Sequence, residues 1–140
     1  MPDIIIRQPD DTEFAEVKEY VQEFWLDNSN MSKEQFLILL YKGRFAVFGR
    51  IKEHAGCSEL CTLGVVNEFR GKHLGEALVK ALVKKAKSHV YLVTVIPDFF
   101  SLLGFAFTEK YPASMKRKVE VCTKEYHVGE TYKVMKWTSQ

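Results

Sequence analysis

The sequence predicts an α/β protein built on a mixed sheet, mostly antiparallel, with one central parallel pair of strands and flanking helices. Three observations carry that expectation. Residues 58–88, SELCTLGVVNEFRGKHLGEALVKALVKKAKS, read as strand, short basic glycine loop and amphipathic helix. The next run, Val90 to Ile96, is nearly continuous, apolar and β-branched, as befits a strand covered on both faces. A strand–helix–strand order with one long helix sets the two strands parallel through a right-handed crossover. Upstream, two apolar runs flank Lys42-Gly43, the mark of a tight antiparallel hairpin.

In chain order, Ile4 to Arg7 is a short strand that Pro9 ends. Asp10 stands three residues before Glu13, the spacing of a capping box. Phe14, Val17, Val21 and Phe24 mark the core face of a helix reaching about Leu26. Asp27-Asn28-Ser29-Asn30 is a polar loop, followed by a short helical turn near Ser32 to Glu34. Phe36 to Tyr41 and Arg44 to Phe48 form the hairpin, with Gly43 where positive φ is needed; a helix over Gln35 to Tyr41 is the rival that the tight turn argues against. Glu53-His54-Ala55-Gly56 reverses the chain into the central strand, Leu60 to Val66. In the long helix Leu74, Leu78, Ala81 and Leu82 face inward, while Glu76, Lys80, Lys84 and Lys87 face water. Pro97-Asp98 starts a short helix, Phe99 to Leu103, which Gly104 ends before a strand at Phe105 to Thr108. Pro112 to His127 carries no clear assignment, and Thr131 to Trp137 alternates as a closing strand.

A chain of 140 residues suits one domain spanning 1–140 around a single core. The net charge of +2, from 20 basic and 18 acidic side chains, calls for neither nucleic acid nor membrane. The N-terminus MPDIIIRQPDD lacks a basic stretch followed by an apolar one, so no signal peptide is expected and the protein is placed in the cytoplasm. Cys57, Cys61 and Cys122, odd in number and without framework spacing, fit a reducing compartment. Zinc on these thiols and His127 is disfavoured. Residues four apart on a strand lie about 13 Å apart, whereas zinc ligands approach to roughly 2.3 Å. No metal is expected.

The glycine loop points to an anion. A helix's first turn offers unpartnered N–H groups at its positive end. Gly71 and Gly75 let backbone approach a ligand, and Arg70, Lys72 and His73 add charge. No Gly-Lys-Ser/Thr and no G-x-G-x-x-G is present, so this is neither a P-loop nor a dinucleotide fingerprint. The full string Leu63-Gly64-Val65-Val66-Asn67-Glu68-Phe69-Arg70-Gly71-Lys72-His73-Leu74-Gly75 resembles the acetyl-CoA-binding motif of the GNAT N-acetyltransferase superfamily, whose core runs Arg/Gln-x-x-Gly-x-Gly/Ala. Arg70 and Gly75 match its ends, while His73 stands where the family usually has its middle glycine. Further on, Phe99-Phe100-Ser101-Leu102-Leu103-Gly104-Phe105 resembles the family's "FYEKLGF" segment. The two motifs span Glu59 to Phe105. The downstream one is more similar to the amino-acid acetyltransferase (N-acetylglutamate synthase-like) branch.

The resemblance implies a GNAT-like acyl-CoA N-acyltransferase fold and transfer of acetyl from acetyl-CoA to a primary amine. It implies pantetheine along the backbone of Leu63 and Val65, and pyrophosphate on Arg70, Gly71, Lys72, His73, Leu74, Gly75 and Glu76. A lysine-like amine has a pKa near 10.4, so freeing it at pH 7 costs about 4.6 kcal/mol. A general base is therefore useful. Glu59 holds the position of the catalytic or substrate-binding Glu in several family members. On an alternating strand it shares a face with Cys61, Leu63 and Val65, which would desolvate it. Phe100, where a Tyr often protonates the leaving thiolate, cannot do so; water, Tyr111, Tyr126 or Ser101 are the substitutes. Phe100 and His73 also support an alternative, a non-catalytic acyl-CoA-binding sensing or interaction module. The acceptor is a small-molecule or peptide amine. Lys116, Arg117 and Lys118, with Arg44 and Arg50, favour one that carries a carboxylate, an amino acid such as glutamate rather than spermidine, with Arg117 as the clamp. A homodimer is compatible with all of this.

Overall fold

The structure is a computed structural model that describes residues 3–126 and 132–138, with 125 and 126 described by backbone only. His127, Thr131 and the side chain of Tyr126 lie outside it. The elements are β1 (Ile4–Arg7), α1 (Asp11–Glu23), β2 (Phe36–Tyr41), β3 (Arg44–His54), β4 (Cys57–Val65), α2 (Leu74–Lys85), β5 (Val90–Thr94), α3 (Pro97–Ser101), β6 (Phe105–Phe107), α4 (Ala113–Tyr126) and β7 (Lys133–Trp137). The strands order β1-β2-β3-β4-β5-β7-β6. β4 and β5 pair in parallel at Ser58↔Val90 and Glu59↔Tyr91, while β7 pairs antiparallel with both β5 and β6. The mixed sheet with its one central parallel pair is as the sequence predicts. No helix among the described residues is long and apolar enough to cross a membrane. Two compact units emerge, one of Met1–Lys52 with Leu60–Lys85, the other of Glu53–Glu59 with Ala86–Gln140.

In the first unit, Asp10 caps α1. Its side chain accepts from Glu13 N at 2.8 Å, and Glu13 Oε1 accepts from Asp10 N at 2.9 Å. Arg7 donates to both Glu13 oxygens at 2.7 Å, and that hydrogen bonding holds the Glu13 carboxyl below its ordinary range. α1 stops at Glu23, short of Leu26, because Trp25 turns left-handed at φ 57°. The Lys42-Gly43 turn, with φ 50° and 79°, has the two positive values of a type I′ connection. Val17 and Val21 bury themselves against Phe36, Ile38 and Phe48.

Arg50, on β3, is fully buried. Its guanidinium donates to Thr62 Oγ1 (2.7 Å), Ser29 O (3.0 Å), Gln35 Oε1 (2.9 Å) and Asp27 O (3.0 Å). It is therefore an internal strut and not the acceptor-facing cation expected from sequence.

In the second unit, Cys57, Tyr91, Met115 and Val134 form a buried cluster with Tyr111 and Val119 packed on it. The segment without a clear assignment in the sequence is α4, a helix of 14 residues. Met115, Val119 and Cys122 recur four and three residues apart, and Met115 and Cys122 are buried. Pro112 O starts the helix by accepting from Met115 N and Lys116 N.

Candidate active site

The loop between β4 and α2 belongs to the first unit. A turn at Asn67–Phe69 buries Phe69. Arg70 then donates Nε to Val65 O at 3.3 Å and lays its guanidinium 5.5 Å from the Phe24 ring centroid. Gly71 (φ 82°) and His73 (φ 61°) are both left-handed. Left-handed residues in a turn gather successive backbone amides into an anion-binding concavity, which here leads into the N-terminus of a 12-residue helix. Arg70, Gly71, Lys72 and His73 are exposed, Glu76 is half-buried, and Leu74 and Gly75 are buried. The left-handed backbone at 73 gives the physical reason for a glycine there in the motif. A non-glycine pays roughly 1–2 kcal/mol for it. The His73 side chain is 83% exposed, with Nδ1 3.9 Å from Glu76 Oε1. Open amides, two cations and a helix N-terminus suit a pyrophosphate.

β4 differs from the expected alternation. Thr62, a β-branched residue, is left-handed at φ 54°, so the strand bulges there. Its hydroxyl accepts from Arg50 and donates to Asp27 O at 2.9 Å, which holds the strained backbone. Thr62 Oγ1 also lies 3.6 Å from Cys61 Sγ, so these neighbours point the same way. Leu63 instead turns with Gly49 towards Leu82, and Arg50 and Gly49 alternate on β3. Cys61 and Leu63 therefore lie on opposite faces, not on one. Gly64 serves close packing: a Cβ there would sit 2.4 Å from the Phe48 ring.

Glu59, in the second unit, is 1% exposed. Its oxygens meet polar groups, while of the neighbours expected from strict alternation Cys61 keeps the Glu59 face of β4 and Leu63 leaves it. His54, across the Ala55-Gly56 turn, brings Nε2 to 2.8 Å from Oε1. Lys118, from α4, brings Nζ to 2.9 Å from Oε2. That second contact is an ion pair off the hydrogen-bonding directions, since Oε2 accepts no directed hydrogen bond among the described residues. Sequence reasoning misses both partners. In the sequence His54 is only part of a turn, and Lys118 only one of three cations. Helical phase separates those three: Lys116 and Arg117 are exposed and Lys118 turns inward. Arg44 pairs with Glu68 at 2.7 Å on the surface.

Phe100 is buried edge-on against Phe99 and Phe105, with no hydroxyl to offer. Of its substitutes, Ser101 is exposed and Tyr111 lines a cavity of about 450 Å³ with Phe107, Val119 and Tyr132. Burial pushes the Tyr132 phenol above its ordinary pKa.

Residues 3–106 match the Acetyltransferase (GNAT) family. Among solved structures, N-acetylglutamate synthase from Neisseria gonorrhoeae, complexed with coenzyme A and N-acetyl-glutamate, superposes with a TM-score of 0.77 at 16% identity over 98% of this chain. The chain spans about a third of that protein, 35% of its length. Rv2747 from Mycobacterium tuberculosis, in complex with CoA and NLQ, gives 0.75 at 16% identity, covering 97% of this chain and 99% of that one. Arabidopsis thaliana Naa50 with the bisubstrate analogue CoA-Ac-MVNAL gives 0.63 at 13% identity, covering 99% and 100%.

Proposed function

Because the chain belongs to the acetyltransferase (GNAT) family, we propose that it moves the acetyl group of acetyl-CoA onto a primary amine by direct attack, with base function centred on Glu59. The observation that carries this is the left-handed loop at Gly71 and His73, which opens into α2 directly after β4. In this reading Arg70 to Glu76 hold the pyrophosphate, and the backbone of Leu63 and Val65 pairs with the pantetheine amides as an added strand would. Bound acetyl-CoA supplies the activated acyl group. Glu59 serves the proton that the amine must lose, and no step passes through a metal. Residues 1–140 act as one catalytic domain, in the cytoplasm.

The acceptor is an amino acid of the glutamate type. Arg117, exposed on α4, supplies a planar fork for its carboxylate. The fold shared with two chains that carry N-acetyl-glutamate or NLQ beside CoA supports this choice. The test is competition between glutamate and spermidine for acetyl from acetyl-CoA. Acetylated glutamate should dominate, and Arg117→Ala should weaken glutamate binding by about 1.5–3 kcal/mol. Preference for spermidine would overturn the acceptor assignment.

A further inference from the structure

We propose that His54, through Nδ1, is the group that takes the amine's proton, and that Glu59 and Lys118 position it. This rests on the acetyl-transfer reading above and assigns the base within it. An ionised carboxylate only accepts hydrogen bonds, and a lysine ammonium only donates. With Lys118 Nζ 2.9 Å from Oε2, Glu59 is held as an acceptor towards His54. The neutral imidazole must then carry its hydrogen on Nε2, 2.8 Å from Oε1. That leaves the Nδ1 lone pair as a base, and among the described residues no side chain or backbone group occupies it. Exposure points the same way. The His54 side chain is 25% exposed and that of Glu59 only 2%, so an amine or a water can reach the ring but not the carboxylate.

The other charges nearby are engaged elsewhere. Glu53 accepts from Ser58 Oγ and from Lys87 N, and Lys136 lies over the Tyr91 ring. Asp27 pairs with Arg50 and Lys52. Among the described residues Glu59 is the charged group that contacts the ring, and Lys118 contacts Glu59. The arrangement is a carboxylate orienting an imidazole, the logic by which an acid residue fixes the tautomer of a catalytic histidine.

The ammonium acceptor gives one proton to Nδ1, and the freed nitrogen lone pair forms the N–C bond to the thioester carbonyl. The C–S bond breaks, sulfur leaves with the bonding pair, and the nitrogen's second proton ends on sulfur as thiol. The imidazolium, stabilised by Glu59, returns its proton to water.

The first test needs no substrate. Nitrogen NMR of the ring should show the Nε2–H tautomer in the wild-type protein, with the His54 signals identified among 4 histidines as those absent from His54→Ala. In Glu59→Gln the amide oxygen turns to Lys118 and its NH₂ faces His54, so the hydrogen should move to Nδ1. The second test is kinetic. His54→Ala should lose about 10²–10⁴-fold in kcat while acetyl-CoA still raises Tm, and added imidazole should restore part of the rate. His54→Gln, whose amide still donates to Glu59, should lose turnover equally if the alanine variant folds poorly. A wild-type ring carrying Nδ1–H, or near-normal turnover in the His54 variants while Glu59→Gln is dead, would overturn the assignment. Absence of thiol release from the wild type with every amine would instead defeat acetyl transfer, and the tautomer would still decide the His54–Glu59 pair.

Discussion

Replacing Arg50 with methionine should lower stability by more than about 3 kcal/mol, the largest stability effect expected of a single side chain here. Methionine keeps an unbranched stem, falls short of the guanidinium and removes every donor. Ser29 O and Gln35 Oε1 lose their bonds to the guanidinium, Thr62 Oγ1 loses its donor, and Asp27 O keeps the Thr62 hydroxyl. Each buried polar group left unpaired costs about 1–3 kcal/mol, and this side chain is 0% exposed, so water does not replace what is lost. At this chain length Tm should fall by roughly 10 °C. The effect should reach β4 as well, because the left-handed Thr62 is held through the same guanidinium. Arg44, which pairs with Glu68 at 2.7 Å on the open surface, is the control, and its alanine variant should change little. A thermal melt of Arg50→Met within about 3 °C of wild type would mean that the guanidinium is solvated.

Gly75→Val should abolish acetyl-CoA binding. Gly75 is buried in the first turn of α2, where the proposed site brings backbone close to phosphate. A β-branched side chain fills that approach and stiffens the turn. Ligand at 100 times Kd stabilises a native protein by about 2.7 kcal/mol, so the wild type should show a clear rise in Tm with acetyl-CoA. The variant should show none, with its circular dichroism unchanged. Gly75→Ala should fall between. A full shift in Gly75→Val would remove the loop from the binding site.

Much of the fold is legible in the sequence because local chemistry decides it. Asp10 and Glu13 cap each other within one turn, Lys42-Gly43 closes its hairpin with two positive φ values, and α2 shows its apolar stripe. The candidate phosphate loop stands out in the sequence for the same reason, being a contiguous stretch, and its left-handed turn at Gly71 and His73 is what the fold adds. What escapes is set at a distance. The bulge at Thr62 depends on Arg50 and on Asp27 O, neither of them near it in the chain. α4 hides behind the run Lys116-Arg117-Lys118, although Met115, Val119 and Cys122 already mark its inner face. Glu59 stands out by its place on the strand, but its chemistry depends on Lys118, which only the folded chain brings to it. His54 is within reach of sequence: it ends one strand of a hairpin whose other strand starts at Cys57, and Glu59, two residues further on, is its diagonal neighbour on one face.

Release of free thiol from acetyl-CoA across a panel of primary amines tests acetyl transfer most directly. Thiol should appear with at least one small amino acid, in step with an acetylated product of matching amount, and should disappear in Gly75→Val. No thiol with any amine, while acetyl-CoA still raises Tm, would contradict catalysis and leave an acyl-CoA-binding module.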